Sequence, residues 1–224
     1  MDADLLSINE ARRVAESAWE AFRKFRGTDV SLIDDMVQAM ASAIEPESAR
    51  LGAMAAEETG YGNAEDKRLK NLFNSLTVAD WLRNVRTLGV LWQDEVTRVA
   101  AIGEPMGVIA ALIPVTNPTS TIIYKVLSAI KAGNAIVCAP HPRGVQCGLE
   151  TTRIMAQAAE QLGAPHGLIQ CLPHVTLEGT AELMRHRRTS VIMATGWERN
   201  GACCLLFRQT HAGSRPGKCP RLYT

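Results

Sequence analysis

The sequence predicts an α/β protein, a Rossmann-like, doubly wound parallel sheet preceded by helices. Three observations predict it. Residues 1–85 place apolar side chains at helical spacing. From residue 106 short apolar runs alternate with longer helical ones. The short runs lack polar alternation, the pattern of strands covered on both faces. The resulting β-α-β-α-β-α-β order suits a sheet with helices on both sides.

The helices come first. Ile8, Ala11, Val14, Ala18, Phe22 and Phe25 mark the first, and Ser7 with Glu10 fits a capping box at its start. A second, over 31–44, carries Leu32, Ile33, Met36, Val37, Met40 and Ile44 on one face, with Pro46 beyond it. A third, about 47–59, ends at Gly60, the residue type favoured at a C-cap. "NAEDKRLKNLFNSLTVADWLRNV" supplies a longer amphipathic helix. "GVLWQDEVTRVAAIGEP" reads as a hairpin around a polar turn. The sheet strands are "MGVIAALIP", "NAIVCAP", "GLIQCLP" and "TSVIMATG", with helices near 118–132, 145–162 and 176–186 between them. The chain divides into a helical part (1–89), a hairpin (90–104), a Rossmann-like core (105–196) and a tail of different character (197–224).

Of the 224 residues, 46% are hydrophobic and 21% charged, ordinary values for a globular protein with a substantial core. A net charge of +1 gives no reason to expect nucleic acid or an anionic membrane as partner. No apolar run reaches the length of a membrane span. "MDADLLSINEARR" has acids where a secretory signal has a basic region, so a cytoplasmic protein with reduced cysteines is expected. The average charge conceals an asymmetry. Residues 197–224 hold five basic side chains against one acid, and three of the six cysteines.

Sheets of this kind bind ligands beyond the carboxyl ends of their strands, here "IPVTNP", "CAPHPR", "CLPH" and "MATG". No G-x-G-x-x-G follows any strand, so the usual dinucleotide fingerprint is absent. Asn117 can cap the helix that opens at Pro118, or can present its amide to a developing oxyanion; capping is the commoner role. His141 and Arg143 follow a buried strand, where an arginine meets either a phosphate or ribose, or only solvent. Cys138 and Cys171 lie in apolar runs as small hydrophobes, and Cys147 has no sequence-adjacent basic partner. Cys203, Cys204, His211 and Cys219 are spaced too irregularly for a zinc knuckle, and no metal site is expected.

Together "EETGYGNAEDKRLKN", "GEPMGVIAALIPVTNPTSTIIYKVLSAIKAGNAIVCAPHPR" and "SVIMATG" resemble the CoA-acylating aldehyde dehydrogenases, from about residue 5 to 196. The resemblance implies the aldehyde dehydrogenase fold, with a cofactor domain, a catalytic domain and an oligomerisation hairpin. It implies NAD or NADP as cofactor, CoA as co-substrate, a small aldehyde as substrate, and a homo-oligomer. In that family a cysteine thiolate attacks the aldehyde, hydride passes to NAD(P)+, and CoA takes the acyl group. By resemblance Asn117 is the oxyanion amide. Thr116, Pro140, His141, Pro142 and Arg143 match segments lining the adenosine side of the cofactor site. Thr195 and Gly196 match the turn leading toward the pyrophosphate.

The match fails after "ATG", where the family continues with a glycine-rich turn, a helix, Ser-Ser-Gly-Lys and Gly-Pro-Gly-Asn. None of the six cysteines occupies the family's nucleophile position. The tail has an explanation in its codons. Ala202 to Phe207 can be encoded GCG TGC TGC CTA CTC TTC, which one base later reads Arg-Ala-Ala-Tyr-Ser. Synonymous codons chosen from Trp197 onward yield "GNGMVRAAYSSGKPTLGRGPGNVPVYT", the family's own continuation. The expectation is a one-base frameshift near codon 197, leaving an inactive fragment without the catalytic domain. The alternative is a non-catalytic nucleotide-binding or assembly subunit.

Overall fold

The computed structural model of the chain describes residues 2–195 and the backbone of 205–207. Helix α1 (Ala3–Phe25) starts earlier than the capping box predicts, because Asp2 caps it by accepting from the Asp4 amide at 3.2 Å. Ser7 lies inside the helix, fully buried. Its hydroxyl donates to the His174 carbonyl (2.8 Å) and accepts from the Thr176 amide (3.3 Å), a tertiary role that displaces the expected local one.

Helix α2 (Val30–Ile44) is capped by Asp29, and α3 (Ser48–Thr59) ends at Gly60, whose φ of +70° is the left-handed conformation that glycine tolerates. The long amphipathic helix is α4 (Ala64–Leu72) running through a π-turn (Phe73–Thr77) into α5 (Val78–Arg83). Strands β1 (Gly89–Asp94) and β2 (Val99–Gly103) form the hairpin, a two-stranded antiparallel sheet on its own.

The main sheet has the order β5-β4-β3-β6-β7. Strands β3 (Val108–Ile113), β4 (Ala135–Pro140), β5 (Ile169–Cys171) and β6 (Thr189–Ala194) are parallel, and β7 (Leu205–Phe207) is antiparallel to β6. Sequence patterning predicts no strand after 196; three residues are too few to carry a period. Helices α6 (Pro118–Lys131) and α7 (Val145–Gln161) pack together against the sheet with α2 behind them, while α1 and α8 (Leu177–Arg185) pair against each other and touch β3, β4 and β6.

Both covers bury the sheet, which is why β4 reads AIVCAP with every residue buried. The chain moves from β3 outward to β4 and β5, then returns to the other flank of β3 for β6. The carboxyl ends of β3 and β6 therefore flank the topological switch point, where such sheets open a crevice.

Candidate functional site

Three loops reach the carboxyl edge. Register places Ile113 beside Pro140 and Leu112 beside Ala194, so the segments after β3, β4 and β6 are neighbours. This brings Thr116, Asn117, Pro140, His141, Pro142, Arg143 and Thr195 to one edge. Gly196 lies outside the described residues, as do Cys203, Cys204, His211 and Cys219. Beneath this edge the fully buried Lys125 of α6 donates to the carbonyls of Leu112 (2.6 Å) and Met193 (2.8 Å), tying the ends of β3 and β6 together.

Asn117 sits at the N-cap of α6 with φ −144° and ψ 64°, yet its side chain caps nothing. Its Oδ1 accepts instead from Lys70 Nζ at 3.2 Å. A carboxamide oxygen held by an ammonium leaves the amide nitrogen as the group free to donate elsewhere. The capping role favoured by residue statistics is therefore not the one Asn117 takes.

Helix α4 meets the loop at three points. Lys67 Nζ donates to the Thr116 carbonyl (2.7 Å), Lys70 holds Asn117, and the Thr119 hydroxyl donates to Asn71 Oδ1 (2.8 Å). Burial, reinforced by the neighbouring Lys70 charge, lowers the pKa of Lys67. Sequence reading missed these helix residues. Their spacing of i, i+3 and i+4 shows that they share a face, but nothing local shows what that face meets.

On the β4 side the His141 Nδ1 accepts from the Arg143 amide (3.1 Å), which leaves Nε2 as the ring nitrogen able to donate outward. The Arg143 guanidinium donates to the Thr59 carbonyl (2.6 Å) and lies 5.7 Å from the Tyr61 ring centre, so it is engaged at the end of α3. The N-terminus of α7 is occupied by the Glu58 carboxylate, which accepts from the amides of Gln146 and Cys147, both at 2.8 Å.

All three described cysteines have thiols raised above their ordinary value. Burial pushes the Cys138 thiol up to about 12, and burial also raises Cys171. Cys147 is raised by burial and by its contact with Glu58. Among the described residues no three His, Cys, Asp or Glu side chains gather as a metal site, and no helix is long and apolar enough to cross a membrane.

Known proteins match the chain in sequence and fold. The aldehyde dehydrogenase family matches over residues 3–204. The chain is 39% identical over 206 residues to an acylating sulfoacetaldehyde dehydrogenase of Cupriavidus necator, covering 87% of this chain and 41% of that protein. It is 42% identical over 146 residues to an aldehyde-alcohol dehydrogenase of Streptococcus pneumoniae, covering 65% and 16%. The solved structure of an acetylating aldehyde dehydrogenase from Geobacillus thermoglucosidasius superposes with a TM-score of 0.83 at 49% identity, over 85% of this chain and 42% of that one. A propionaldehyde dehydrogenase from Rhodopseudomonas palustris with bound propionyl-CoA gives 0.71 at 30% identity, over 83% and 41%. The chain thus spans less than half the length of these relatives. It belongs to the aldehyde dehydrogenase family.

Proposed function

We propose that these residues form the dinucleotide side of an enzyme that oxidises a small aldehyde to an acyl-CoA with NAD(P)+ and CoA. The observation that carries this reading is Asn117. It stands at a helix N-cap beside the switch-point crevice, its oxygen held by Lys70 and its amide nitrogen left to donate. When a thiolate adds to an aldehyde, the carbonyl electron pair moves onto oxygen, and a fixed amide donor stabilises that charge. The amide needs no reorientation as the charge forms, because Lys70 already holds its other end.

The donor set also fits a dinucleotide. The exposed Thr116 and Thr195 flank the crevice, and the exposed His141 presents Nε2–H past β4, the position where this class of sheet meets the ribose. Bound NAD(P)+ supplies the hydride acceptor. Thr116, Pro140, His141, Pro142 and Arg143 would line its adenosine side, with Arg143 shaping the wall through Thr59 and Tyr61. Thr195 and Gly196 would lead toward the pyrophosphate.

Burial raises all three described thiols, which supports placing the nucleophile outside them. Residues 197–224 are read as out-of-frame translation, which makes Cys203, Cys204 and Cys219 accidental. On this reading residues 1–224 bind nucleotide without oxidising aldehyde, and the full reaction belongs to the in-frame enzyme. The hairpin β1–β2, with Trp92 and Ile102 exposed on a sheet of two strands, is the surface through which copies would assemble.

Titration with NADH, followed by nicotinamide fluorescence, tests the reading. Saturable binding displaced by NAD+ or NADP+ is expected. No binding up to millimolar NADH would remove the dinucleotide role and leave an assembly subunit as the better account.

A further inference from the structure

We propose that Lys70 is a positioning residue whose ammonium aims the Asn117 carboxamide. The inference rests on the reading of Asn117 as an oxyanion donor and names the group that sets its direction. An asparagine side chain has two nearly isosteric ends, and rotation by half a turn would offer an incoming oxyanion an oxygen instead of an N–H. Something must choose between them. A helix N-cap normally does so, because the side-chain oxygen accepts from amides of the first turn. At Asn117 that bond is not made, and Lys70 Nζ takes the oxygen at 3.2 Å. A lysine has only donors, so it accepts no other orientation of the amide.

The lysine is itself placed with care. Lys67, one turn earlier on α4, is nearly fully buried and grips the Thr116 carbonyl, while Asn71 is fully buried between Thr119 and the Ser48 carbonyl. Three side chains of one helix face thus hold residues 116, 117 and 119 in order. The π-turn at Phe73–Thr77 follows at once, and turns of this kind recur at functional sites where a helix must re-aim a face. Of the three contacts, only the one from Lys70 reaches a side chain that would itself meet substrate. Lys67 and Asn71 hold the loop, and Lys70 holds the donor.

The test uses the full chain labelled with 15N-asparagine, the Asn117 side-chain pair being identified by its loss in Asn117→Ser. In Lys70→Met the Asn117 pair is expected to shift and to exchange faster with water. The Asn71 and Asn134 pairs, which are bonded elsewhere, should stay in place and report that the fold is intact. Lys70→Arg, which keeps a cationic donor, is expected to restore the wild-type position. An Asn117 pair unmoved in Lys70→Met overturns the proposal, as does an equal shift in the Met and Arg variants. Should Lys70→Met disturb the control pairs, Lys70→Ala, which also removes the donor, is read by the same criteria. NADH titration of the same samples tests the dehydrogenase reading by itself. Loss of NADH binding in wild type with the Asn117 shift present would sink that reading and leave the contact standing; the reverse result would sink the contact alone.

Discussion

A single side chain can carry a stability effect that pH switches off. Glu150 accepts from Arg153 and Arg50 at 2.7–2.8 Å, and the two guanidinium groups, Arg153 foremost, hold its carboxyl down to about 2. A carboxylate titrates near 4.3 in an unfolded chain, so the folded value is depressed. The contribution is complete above that unfolded value and is lost as pH falls toward 2. Glu150→Gln should cost about 1 kcal/mol at neutral pH, allowing for solvent screening of a partly exposed pair. Urea unfolding at a series of pH values checks it, and the gap between wild type and variant should close on acidification. An equal gap at pH 3 and pH 7 would contradict the assignment. The same scale shows what local reading can reach. Asn117 is visible as a residue of interest, but its partner lies 47 positions away on another helix. Capping is a local rule and favoured a bond that Asn117 does not make; its side-chain oxygen meets Lys70 instead, a contact that only tertiary structure brings about.

At the scale of elements, periodicity served well where burial is continuous. The strands β3, β4 and β6, and the helices α2, α6 and α7, follow from apolar spacing because each is covered along its whole length. It failed where one residue serves another element. Ser7 and Glu10 have the spacing of a capping box, yet the Ser7 hydroxyl bonds to the loop before α8. The π-turn is likewise invisible, since its residues keep an ordinary helical pattern. The Ser7 contact makes a strong packing prediction. A Cβ on Gly179 of α8 would come within 2.8 Å of the Ser7 Cβ and 3.0 Å of its carbonyl carbon, so backbone as well as side chain blocks it. Helix propensity favours alanine by about 1 kcal/mol, while overpacking costs roughly 1–3 kcal/mol. Gly179→Ala should therefore lower the urea midpoint, the packing term winning. A stabilised variant would mean that α1 and α8 separate easily and that the pair is not a rigid cover for the sheet.

Across the whole molecule the decisive feature is a change of character along one chain. Up to residue 195 hydrophobic period, strand order and fold agree, and a chain in which every level agrees is what folding to one state requires. From Trp197 the charge balance turns basic and half of the cysteines are concentrated in an eighth of the length. The cysteines and histidine of this segment are spaced too irregularly for a zinc knuckle. A shifted reading frame leaves a trace of its own: no pattern in one frame and a complete family pattern in the next. The genetic code makes this a sharp test, because the protein sequence permits many codon sets and the proposal permits few. Cys203 and Cys204 must both be TGC, which one base later reads Ala-Ala. TGT at both positions would read Val-Val and break the match. Sequencing the gene across codons 197–224 should return codons that spell "GNGMVRAAYSSGKP" one base out of register. Codons that do not would make the tail a genuine product, and its cysteines and basic residues would then need a function of their own.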